Sequence, residues 1–435
     1  MQSVVQDIGA DASSCGYCKS KKGNRTHGVW AYKLTAADYE SMLLRGWRRC
    51  GHYMYRPLPG SCCRLYTIRL EATRYETSKS KKKVCRRLVA HVDANEDAGK
   101  GKDDAGEGKG QGKGKGEDAP TGKRKGPKSK RKTEATWDAA VHVDGFEGRT
   151  HVLSSKFVRA RVTDEAFQVY TRYQESVHKD APGKNTVDSY KRFLVDSCLE
   201  KEDAPAGSTL PGLGTYHNEV RLDGELVWVG VLDILPQGLS SVYLFYDPAK
   251  FEWLSPGVLS ALREIEFVRH AQQTTDAFRW YYMGYWIPSC PKMRYKGDYR
   301  PSELLCPTSL AWFALADVEA GIDAARDGGR SLDDLRQLAV DGATEAGPPS
   351  GTPVPEDEAQ LKALVVGKTP LRVGQQQLTF GQLLRAFPLA APVVERLVAK
   401  MCAYWRDIGV DVASRAHFVI NRFPTDSDSS DDDAT

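Results

Sequence analysis

The chain has 435 residues, too many for one compact domain, which indicates two or three. Hydrophobic residues make up 41%, enough for a buried core, and the net charge of +4 does not by itself require a nucleic-acid partner. No apolar run approaches the ~20 residues that a membrane span needs, so we expect no membrane partner. The first residues lack a secretory signal, and the ten cysteines are therefore expected in a reducing compartment.

Residues 1–92 are predicted to form a small unit rich in Cys, Tyr and Trp. Thr35 and Asp38, followed by apolar residues at helical spacing, predict a capped helix. Residues 66–70 have the composition of a short strand. The basic stretch KSKKKVCRR at 79–87 is predicted to be helical, with one apolar face.

Residues 93–134 alternate Gly, Lys, Glu and Asp without apolar periodicity, which predicts a disordered linker. Its last part, KRKGPKSKRK at 123–132, is typical of a nuclear-import signal; a solvated linker without that role is the alternative. The acidic tail at 425–435 is also expected to be disordered.

Residues 135–320 are predicted to form the main folded core. Aromatic residues recur at helical spacing over 164–177, which predicts a helix. Two β-rich stretches, 225–235 and 241–246, are joined by a Pro-Gln-Gly turn and predict an antiparallel hairpin.

Ser255 as an N-cap and Pro256 at the first helical position predict a helix that runs to about residue 273. An aromatic strand is predicted next, at 279–287. This order resembles the GNAT acyltransferase core, in which two parallel strands part beside the helix and the acyl donor lies in the gap. No CoA pyrophosphate signature precedes the helix, so we expect no CoA. The predicted fold class is α+β, with a GNAT-like core, a Cys-rich N-terminal unit and a disordered insert.

The remaining chain divides into a loop-rich spacer at 321–358 and an ordered segment at 359–424, which we assign to the C-terminal part of the same acyltransferase-type fold. Helices are predicted at 380–387 and 392–404, and a last strand at 417–421.

Four cysteines predict a metal site: Cys15 and Cys18 form a Cys-x-x-Cys turn, and Cys62 and Cys63 are adjacent. Such a turn brings two sulfurs onto one metal, as in zinc and iron–sulfur sites. Sulfur ligands alone do not choose between these metals. Three further residues lie close enough in sequence to substitute as ligands: His27, Cys50 and His52.

Several blocks resemble the arginyl-tRNA–protein transferase family. They include CGYC at 15–18, GVWAYKLTAADYESMLLRGWRRCGHYMYRP at 28–57, SYKRFLVDS at 189–197, LDGELVWVGVLDILP at 222–236 and YYMGYWIPSCPKMRYKGDYRPSELLCP at 281–307. The blocks occur in the family's order and, with shorter ones, cover about half of the chain. Cys198 departs from the proline that the family usually carries there.

The resemblance implies an enzyme, an arginyltransferase that moves arginine from arginyl-tRNA to proteins with N-terminal Asp, Glu or oxidised Cys. It also implies that the four cysteines bind an iron–sulfur cluster or zinc, and that the products are marked for an N-degron ubiquitin ligase in the cytoplasm or nucleus. Two alternatives remain: a leucyl-tRNA–protein transferase of the same fold, and a catalytically dead adaptor that binds metal and RNA.

The chemistry of such a transfer makes modest demands on a catalyst. The donor is an activated ester and the nucleophile is an α-amine with a pKa of about 7.7–8.0, so a weak base or water suffices. Candidate catalytic residues are Asp233, His217 and Glu264. Either carboxylate could hold the donor's guanidinium or accept the amine proton. Asp233 lies in a strongly apolar strand and therefore needs a partner, either a ligand or a neighbour.

An acidic acceptor needs a cation, for which Lys191, Arg192 and His217 are candidates; a plain surface charge is the alternative for each. The other candidate substrate-binding residues lie on the strands that should part: Ser241, Tyr243, Tyr281, Tyr282 and Tyr285. Strand alternation predicts that Tyr281 and Tyr285 share one face.

Transfer RNA should meet positive charge and flat aromatic rings. Candidates beyond the last aromatic strand are Lys292, Arg294, Tyr295 and Lys296. Candidates in the basic helix are Lys79, Lys81, Lys82 and Lys83, for which a solvated helix face is the alternative.

Overall fold

A computed structural model describes residues 2–92, 151–347 and 351–420. These residues form an α+β fold with a seven-stranded and an eight-stranded sheet, which confirms the predicted class. One large hydrophobic core contains side chains from both sheets. The predicted linker at 93–134 and acidic tail at 425–435 lie outside the described residues.

The strands, in chain order, are β1 (Val4–Ser13), β2 (Asn24–Lys33), β3 (Arg48–Cys50), β4 (Tyr53–Pro57), β5 (Tyr66–Glu71), β6 (Leu153–Arg159), β7 (Gly214–Leu222), β8 (Glu225–Ile234), β9 (Gly238–Tyr246), β10 (Trp280–Trp286), β11 (Ser302–Leu305), β12 (Trp312–Ala314), β13 (Pro370–Val373), β14 (Gln376–Thr379) and β15 (His417–Val419).

The α-helices of the same residues are α1 (Ala36–Leu43), α2 (Lys79–Val92), α3 (Asp164–Tyr173), α4 (Val187–Tyr190), α5 (Pro248–Phe251), α6 (Pro256–Gln272), α7 (Pro291–Arg294), α8 (Leu315–Asp327), α9 (Glu358–Lys368), α10 (Phe380–Ala386), α11 (Ala391–Ile408) and α12 (Val410–Ala413). Two π-helical turns, Gln174–His178 and Lys191–Val195, extend α3 and α4.

The first sheet joins the two ends of the described chain. Its order is β14-β13-β15-β1-β2-β4-β3, and β15 pairs in parallel with β1. Residues 359–424, which the sequence grouped with the acyltransferase-type fold, therefore contribute β13, β14 and β15 to the sheet of the N-terminal unit. Apolar side chains such as Leu371 and Phe418 are buried there.

The second sheet has the order β12-β11-β5-β10-β9-β8-β7-β6. Its strand β5 comes from the N-terminal unit and lies between β10 and β11, so the segment 1–92 contributes to both sheets. Val92 and His151, the described residues on either side of 93–150, are hydrogen-bonded, since the His151 N–H donates to the Val92 carbonyl at 3.3 Å.

Strands β9 and β10 pair in parallel over only three residues, from Trp280↔Gly238 to Tyr282↔Ser240. Beyond that point β10 pairs with β5 alone, after an irregularity at Gly284, whose φ is +71°. The two strands therefore part, as the acyltransferase-type order predicted, and the edge of β9 that faces β10 is left open from residue 241 onward.

Helices cover both faces of β8 and β9 around this gap. Val229 and Val231 pack in a cluster with α3, whereas Gly230, between them, faces Glu264 and Ser260 of α6. Because alternate residues of a strand point to opposite faces, α3 and α6 lie on opposite sides of the sheet.

Two helix starts were predicted from the sequence, and the structure confirms both. Thr35 caps α1 as predicted, accepting from the Asp38 N–H at 3.1 Å. Helix α6 begins at Pro256 with Ser255 at the N-cap position, both as predicted. Ser255 is left-handed (φ 57°) and its side chain makes no capping bond; its hydroxyl accepts from Arg87 at 2.7 Å.

The spacer predicted at 321–358 is partly helical, because α8 continues to Asp327 with Ile322 and Ala325 buried. The sequence analysis missed the end of this helix, because its charged and glycine residues are also typical of a loop. None of the described helices is both long and apolar enough to cross a membrane.

Candidate active site at the gap between two strands

Glu264 of α6 is a buried carboxyl group at the gap, with 3% of its surface exposed. Ser260 donates a hydrogen bond to Oε1 at 2.5 Å, and the Tyr281 hydroxyl donates to Oε2 at 2.7 Å. Among the described residues no arginine, lysine or histidine forms a salt bridge with it. Burial therefore raises its pKa above the ordinary value.

Gly230 of β8 lies directly beside Glu264. A Cβ atom added at Gly230 would lie 3.6 Å from Oε1. Tyr295, in the loop after β10, has 47% of its surface exposed, and burial of its hydroxyl group together with the Glu264 carboxylate raises its pKa. Burial, followed by Tyr243 and Tyr246 and then Tyr295, raises the pKa of Tyr173 in α3.

Tyr243 of β9 is directed to the α3 face. Ser241 opposes Leu232 and Tyr243 opposes Val231, so Val242 is an extra residue in β9. Such a bulge turns the following side chains to the other face. The Tyr243 hydroxyl accepts from Gln174 Nε2 at 2.8 Å.

The same hydroxyl lies 3.2 Å from His178 Nε2. Since the Tyr243 oxygen already accepts from Gln174, it can donate its own proton to His178. Burial and the nearby Lys292 lower the pKa of His178, which favours the neutral imidazole needed to accept that proton. His178 and Gln174 were missed by the sequence analysis. The π-helical turn that aims them is frequent at functional sites but leaves no pattern in the sequence.

Asp233 of β8 is fully buried and paired within the protein. Arg49 of β3 contacts both of its oxygens, at 2.7 and 2.6 Å, and Thr215 donates to it at 2.7 Å. The partner predicted for the Asp233 carboxylate is therefore a neighbouring residue of the protein, Arg49, and not a ligand. His217, also buried, has its Nε2 2.9 Å from the Leu194 carbonyl, and burial lowers its pKa.

The two cations of the SYKRFLVDS block differ in their surroundings. Lys191 is ion-paired with Asp196 at 2.5 Å. Arg192 is exposed, and its side chain makes no hydrogen bond or ion pair with any described residue. Its π-helical turn lies beside the gap, because Phe193 packs against the Tyr243 ring with centroids 5.1 Å apart.

The three tyrosines of β10 are all buried, and the prediction that Tyr281 and Tyr285 share one face is wrong. Tyr281 contacts Glu264 in α6, whereas the Tyr285 hydroxyl donates to the Gly46 carbonyl beyond α1 at 2.8 Å. The irregularity at Gly284 reverses the alternation. Tyr282 is fully buried as well, so none of the three rings is open for stacking with a base.

The loop after β10 exposes part of its predicted RNA-binding set. Lys292 is exposed and Tyr295 partly so. Arg294 instead contacts both oxygens of Asp323, at 2.8 and 2.7 Å. Lys296 donates to the Tyr285 carbonyl at 2.9 Å, and burial lowers its pKa to about 7.

The predicted RNA-binding lysines of the basic helix α2 are likewise partly exposed and partly buried. Lys79, Lys82 and Lys83 are exposed. Lys81 is buried, with its ammonium 4.2 Å from the centre of the Tyr299 ring, and it donates to a backbone carbonyl at 3.1 Å. Lys81 is thus not part of the exposed basic face.

The four cysteines predicted to bind a metal come together. The sulfur atoms of Cys15, Cys18, Cys62 and Cys63 all lie within 4.8 Å of one another. Zn–S bonds of ~2.3 Å in a tetrahedron place sulfurs about 3.8 Å apart, so this donor set fits one metal ion. The group also contacts the segment that leaves β10, where the Ser289 hydroxyl lies 3.8 Å from Cys63.

Two family models match the sequence. The one described as the N terminus of arginine-tRNA-protein transferase matches residues 13–83, and the one described as its C terminus matches residues 165–306. The first range contains the four cysteines, and the second contains β9, α6 and β10 with the gap between them.

The sequence is 30% identical to arginyl-tRNA–protein transferase 1 of Drosophila melanogaster, with 73% of this chain and 83% of the relative covered. It is 30% identical to arginyl-tRNA–protein transferase 2 of Arabidopsis thaliana, with 72% and 75% covered. An aspartate/glutamate leucyltransferase of Pseudomonas fluorescens is 40% identical over 152 residues, which cover 34% of this chain and 54% of that protein. Similarity to the two arginyl-tRNA–protein transferases therefore extends much further along the chain.

Proposed function

The chain belongs to the arginyl-tRNA–protein transferase family, and from that premise we propose that it moves arginine from arginyl-tRNA to the α-amine of proteins that begin with Asp, Glu or oxidised Cys. The proposal rests on one observation above all. At the gap between β9 and β10, a buried carboxyl group that forms no ion pair with any described residue lies beside an open strand edge.

Glu264 is the proposed binding partner of the arginyl guanidinium. A buried carboxylate costs free energy unless a cation accompanies it, and an incoming guanidinium supplies that charge together with planar N–H donors. Ser260 and Tyr281 keep the carboxyl group in place before the donor arrives. A leucyl donor would leave the carboxyl group uncompensated.

The open edge of β9 is the proposed place of the reacting ester. Attack of the α-amine forms the C–N bond and breaks the bond to the ribose oxygen of the tRNA, with no covalent enzyme intermediate. Backbone N–H groups at the edge can stabilise the oxyanion that develops. Tyr243 and His178 take up the amine proton, because a neutral imidazole lies at the end of the hydrogen-bonded series from Gln174.

Arg192 is the proposed partner of the acidic acceptor side chain. It is exposed beside Phe193 and Tyr243 and has no partner in the described part of the chain, and its guanidinium can bind a carboxylate through two hydrogen bonds. Lys191 is less suited, because Asp196 already neutralises it. Asp233 and His217 have partners inside the protein, and we propose that they position β8 and the π-helical turn around Arg192 rather than contact the substrates.

Two exposed basic groups are proposed to bind the tRNA. Lys79, Lys82 and Lys83 of α2 can contact backbone phosphates, while Lys292 and Tyr295 are exposed in the loop after β10, where we propose that the 3′ end binds. Binding through α2 would weaken steeply with salt, because it releases counterions from the phosphates.

The four cysteines are proposed to hold a single zinc ion that stabilises the N-terminal unit, with an iron–sulfur cluster as the alternative. The closeness of the sulfurs favours one ion. Metal analysis and visible spectroscopy of anaerobically purified protein distinguish the two. Zinc without colour supports the proposal; iron, acid-labile sulfide and visible absorbance support the cluster.

We further propose a cytoplasmic location, with nuclear entry through residues 123–132, and recognition of the arginylated products by an N-degron ubiquitin ligase. Fluorescent fusions with and without the segment 93–150 test the first point. Its ends are close enough to be joined by a short linker, because Val92 and His151 are hydrogen-bonded.

The decisive experiment offers labelled arginyl-tRNA and, in parallel, leucyl-tRNA to peptides that begin with Asp, Glu or Ala. Arginine on the acidic peptides alone supports the donor and acceptor assignments together. Leucine transfer would favour the leucyl alternative. No transfer from either donor, with metal-loaded protein, would favour the adaptor without catalytic activity.

A further inference from the structure

Two cationic side chains from outside its sheet hold the end of β10. Arg48 of β3 donates from Nη2 to the Gly284 carbonyl at 3.2 Å, and Lys296 donates from Nζ to the next carbonyl, that of Tyr285, at 2.9 Å. Gly284 follows soon after Tyr282, the last residue of β10 that pairs with β9. The two cations therefore contact β10 where the gap begins to open.

Arg48 links the first sheet to this irregular part of β10. It is 6% exposed, its Nη1 donates to the Trp47 carbonyl at 2.7 Å, and its guanidinium lies 5.1 Å from the centre of the Tyr285 ring. Its contacts are thus with the protein backbone and with a ring of β10.

Lys296 belongs to a turn that folds back onto β10. The turn, Tyr295–Asp298, follows α7, and a second bond ties this region to the strand, from Trp286 Nε1 to the Arg294 carbonyl at 3.0 Å. A Cβ atom added at Gly297 would lie 3.1 Å from the same Trp286 nitrogen, so the turn packs closely on the strand. The bond from Lys296 to β10 therefore fixes a turn that is already in contact with the strand.

Tyr295, the residue before Lys296, is the exposed member of this turn. Its side chain is 47% exposed, whereas burial of its hydroxyl group, followed by the Glu264 carboxylate, raises its pKa. The hydroxyl end thus lies near the buried carboxyl group, and the exposed surface belongs to the ring. An aromatic ring that is fixed at one end and open to solvent can stack with an unpaired base.

We propose that Lys296 is a positioning residue that holds the Tyr295 ring at the gap, where the ring stacks with the 3′-terminal base of the donor tRNA. The arginyl ester is carried on the ribose of that terminal nucleotide, so its base must lie within one nucleotide of the reacting bond. The role differs from the direct tRNA contact predicted for Lys296 from the sequence, because the ammonium donates to the strand. The inference rests on the proposed arginyl transfer and specifies how its donor is held.

A double-mutant cycle on the full, metal-loaded chain tests the coupling. Lys296→Met removes the donor and Tyr295→Ala removes the ring. Each should raise KM for arginyl-tRNA by about tenfold, the size of one lost base stack, and change kcat and KM for the acidic peptide by less than about twofold. The double variant should also show a rise of about tenfold, because the stack is lost in every case.

Two further variants separate the hydrogen bond from a general loss of charge. Lys296→Arg keeps N–H donors on a long side chain and should restore KM to within about threefold. Lys362→Met changes a lysine of α9 whose side chain is 52% exposed, and it should leave KM for arginyl-tRNA unchanged.

Hydrogen exchange measured by mass spectrometry tests the positioning without any activity. Exchange in residues 291–299 should be faster in Lys296→Met than in the unaltered protein, while exchange in β8 and β9 stays the same. Faster exchange in β8 and β9 as well would show a general loss of stability and overturn the proposal.

The cycle has its own contrary outcomes. An additive rise of about 100-fold in the double variant would mean that Lys296 contacts the tRNA by itself, and a Lys296→Met enzyme that behaves as Lys362→Met does would leave it without a role. If the unaltered protein transfers no arginine, the proposed function fails and with it the donor role of Tyr295. Unchanged exchange in residues 291–299 would refute the positioning by Lys296 alone.

Discussion

Asp233 and Glu264 are both buried carboxylates of the same core, yet their surroundings differ in one respect. Asp233 has a cation, since Arg49 contacts both of its oxygens, whereas Glu264 accepts from hydroxyl groups such as those of Ser260 and Tyr281 and forms no ion pair with a described residue. The first arrangement is complete within the protein. The second becomes electrostatically complete only when a cation enters the gap. The sequence alone treated the two residues as equivalent candidates, and their partners now distinguish a structural role from a binding role.

Removing the charge of Asp233 should give the largest effect. Asp233→Asn leaves Arg49 buried without a counter-charge, and the free energy of unfolding should fall by about 3–5 kcal/mol. Urea unfolding measures this loss. The matched control Asp196→Asn breaks an exposed pair with Lys191 and should cost less than about 1 kcal/mol. Equal losses in the two variants would contradict the distinction.

Removing the charge of Glu264 should instead affect activity. Glu264→Gln keeps the shape but not the ability to ionise, so kcat/KM for arginyl transfer should fall by about 100-fold with little loss of stability. The control Glu266→Gln changes a partly exposed residue of the same helix, which pairs with Arg269, and should stay within about threefold. An active Glu264→Gln enzyme would remove Glu264 from the donor site.

The pH dependence of stability should also separate Glu264 from its variant. Burial raises the folded-state pKa of Glu264 above 4.5, so at higher pH the folded protein keeps a proton that the unfolded chain has lost. Its contribution to stability is complete below pH 4.5 and is lost as pH rises toward the folded-state pKa, at no more than about 1.4 kcal/mol per pH unit. Glu264→Gln should lack this loss when unfolding is measured between pH 4 and pH 8. If the free energy of unfolding depended on pH in the same way in both proteins, the charge of Glu264 would already be compensated within the folded protein.

The smallest effect is expected at the acceptor site. There, two neighbouring surface cations can be compared, one with an ionic partner and one without. Arg192 forms no ion pair with the residues that the structure describes, whereas Lys191 is ion-paired with Asp196. Arg192→Ala should lower kcat/KM for a peptide beginning with Asp by about tenfold and leave a peptide beginning with Ala unchanged. Lys191→Ala should change either by less than about threefold. A uniform loss on both peptides would point to a structural role for Arg192.

Much of the fold was predictable because local patterns specify elements. The capped helix α1, the hairpin β8–β9 and the helix that begins at Pro256 follow from capping, alternation and proline placement. The faces of β10 were not predictable, because the irregularity at Gly284 reverses the alternation without a distinct signal. Ser255 occupies the predicted N-cap position, yet a preceding helical turn holds it in a left-handed conformation that the sequence did not indicate.

By itself the sequence determined the family, the α+β class and the four cysteines as a group, because those depend on residue identity and short spacing. It also named Asp233 and Glu264. Only the tertiary structure decided which of them has a cation, that His178 contacts Tyr243, and that Arg48 contacts the end of β10. Those contacts join residues far apart in the chain, and the energy of a buried charge depends on such distant neighbours rather than on its local sequence.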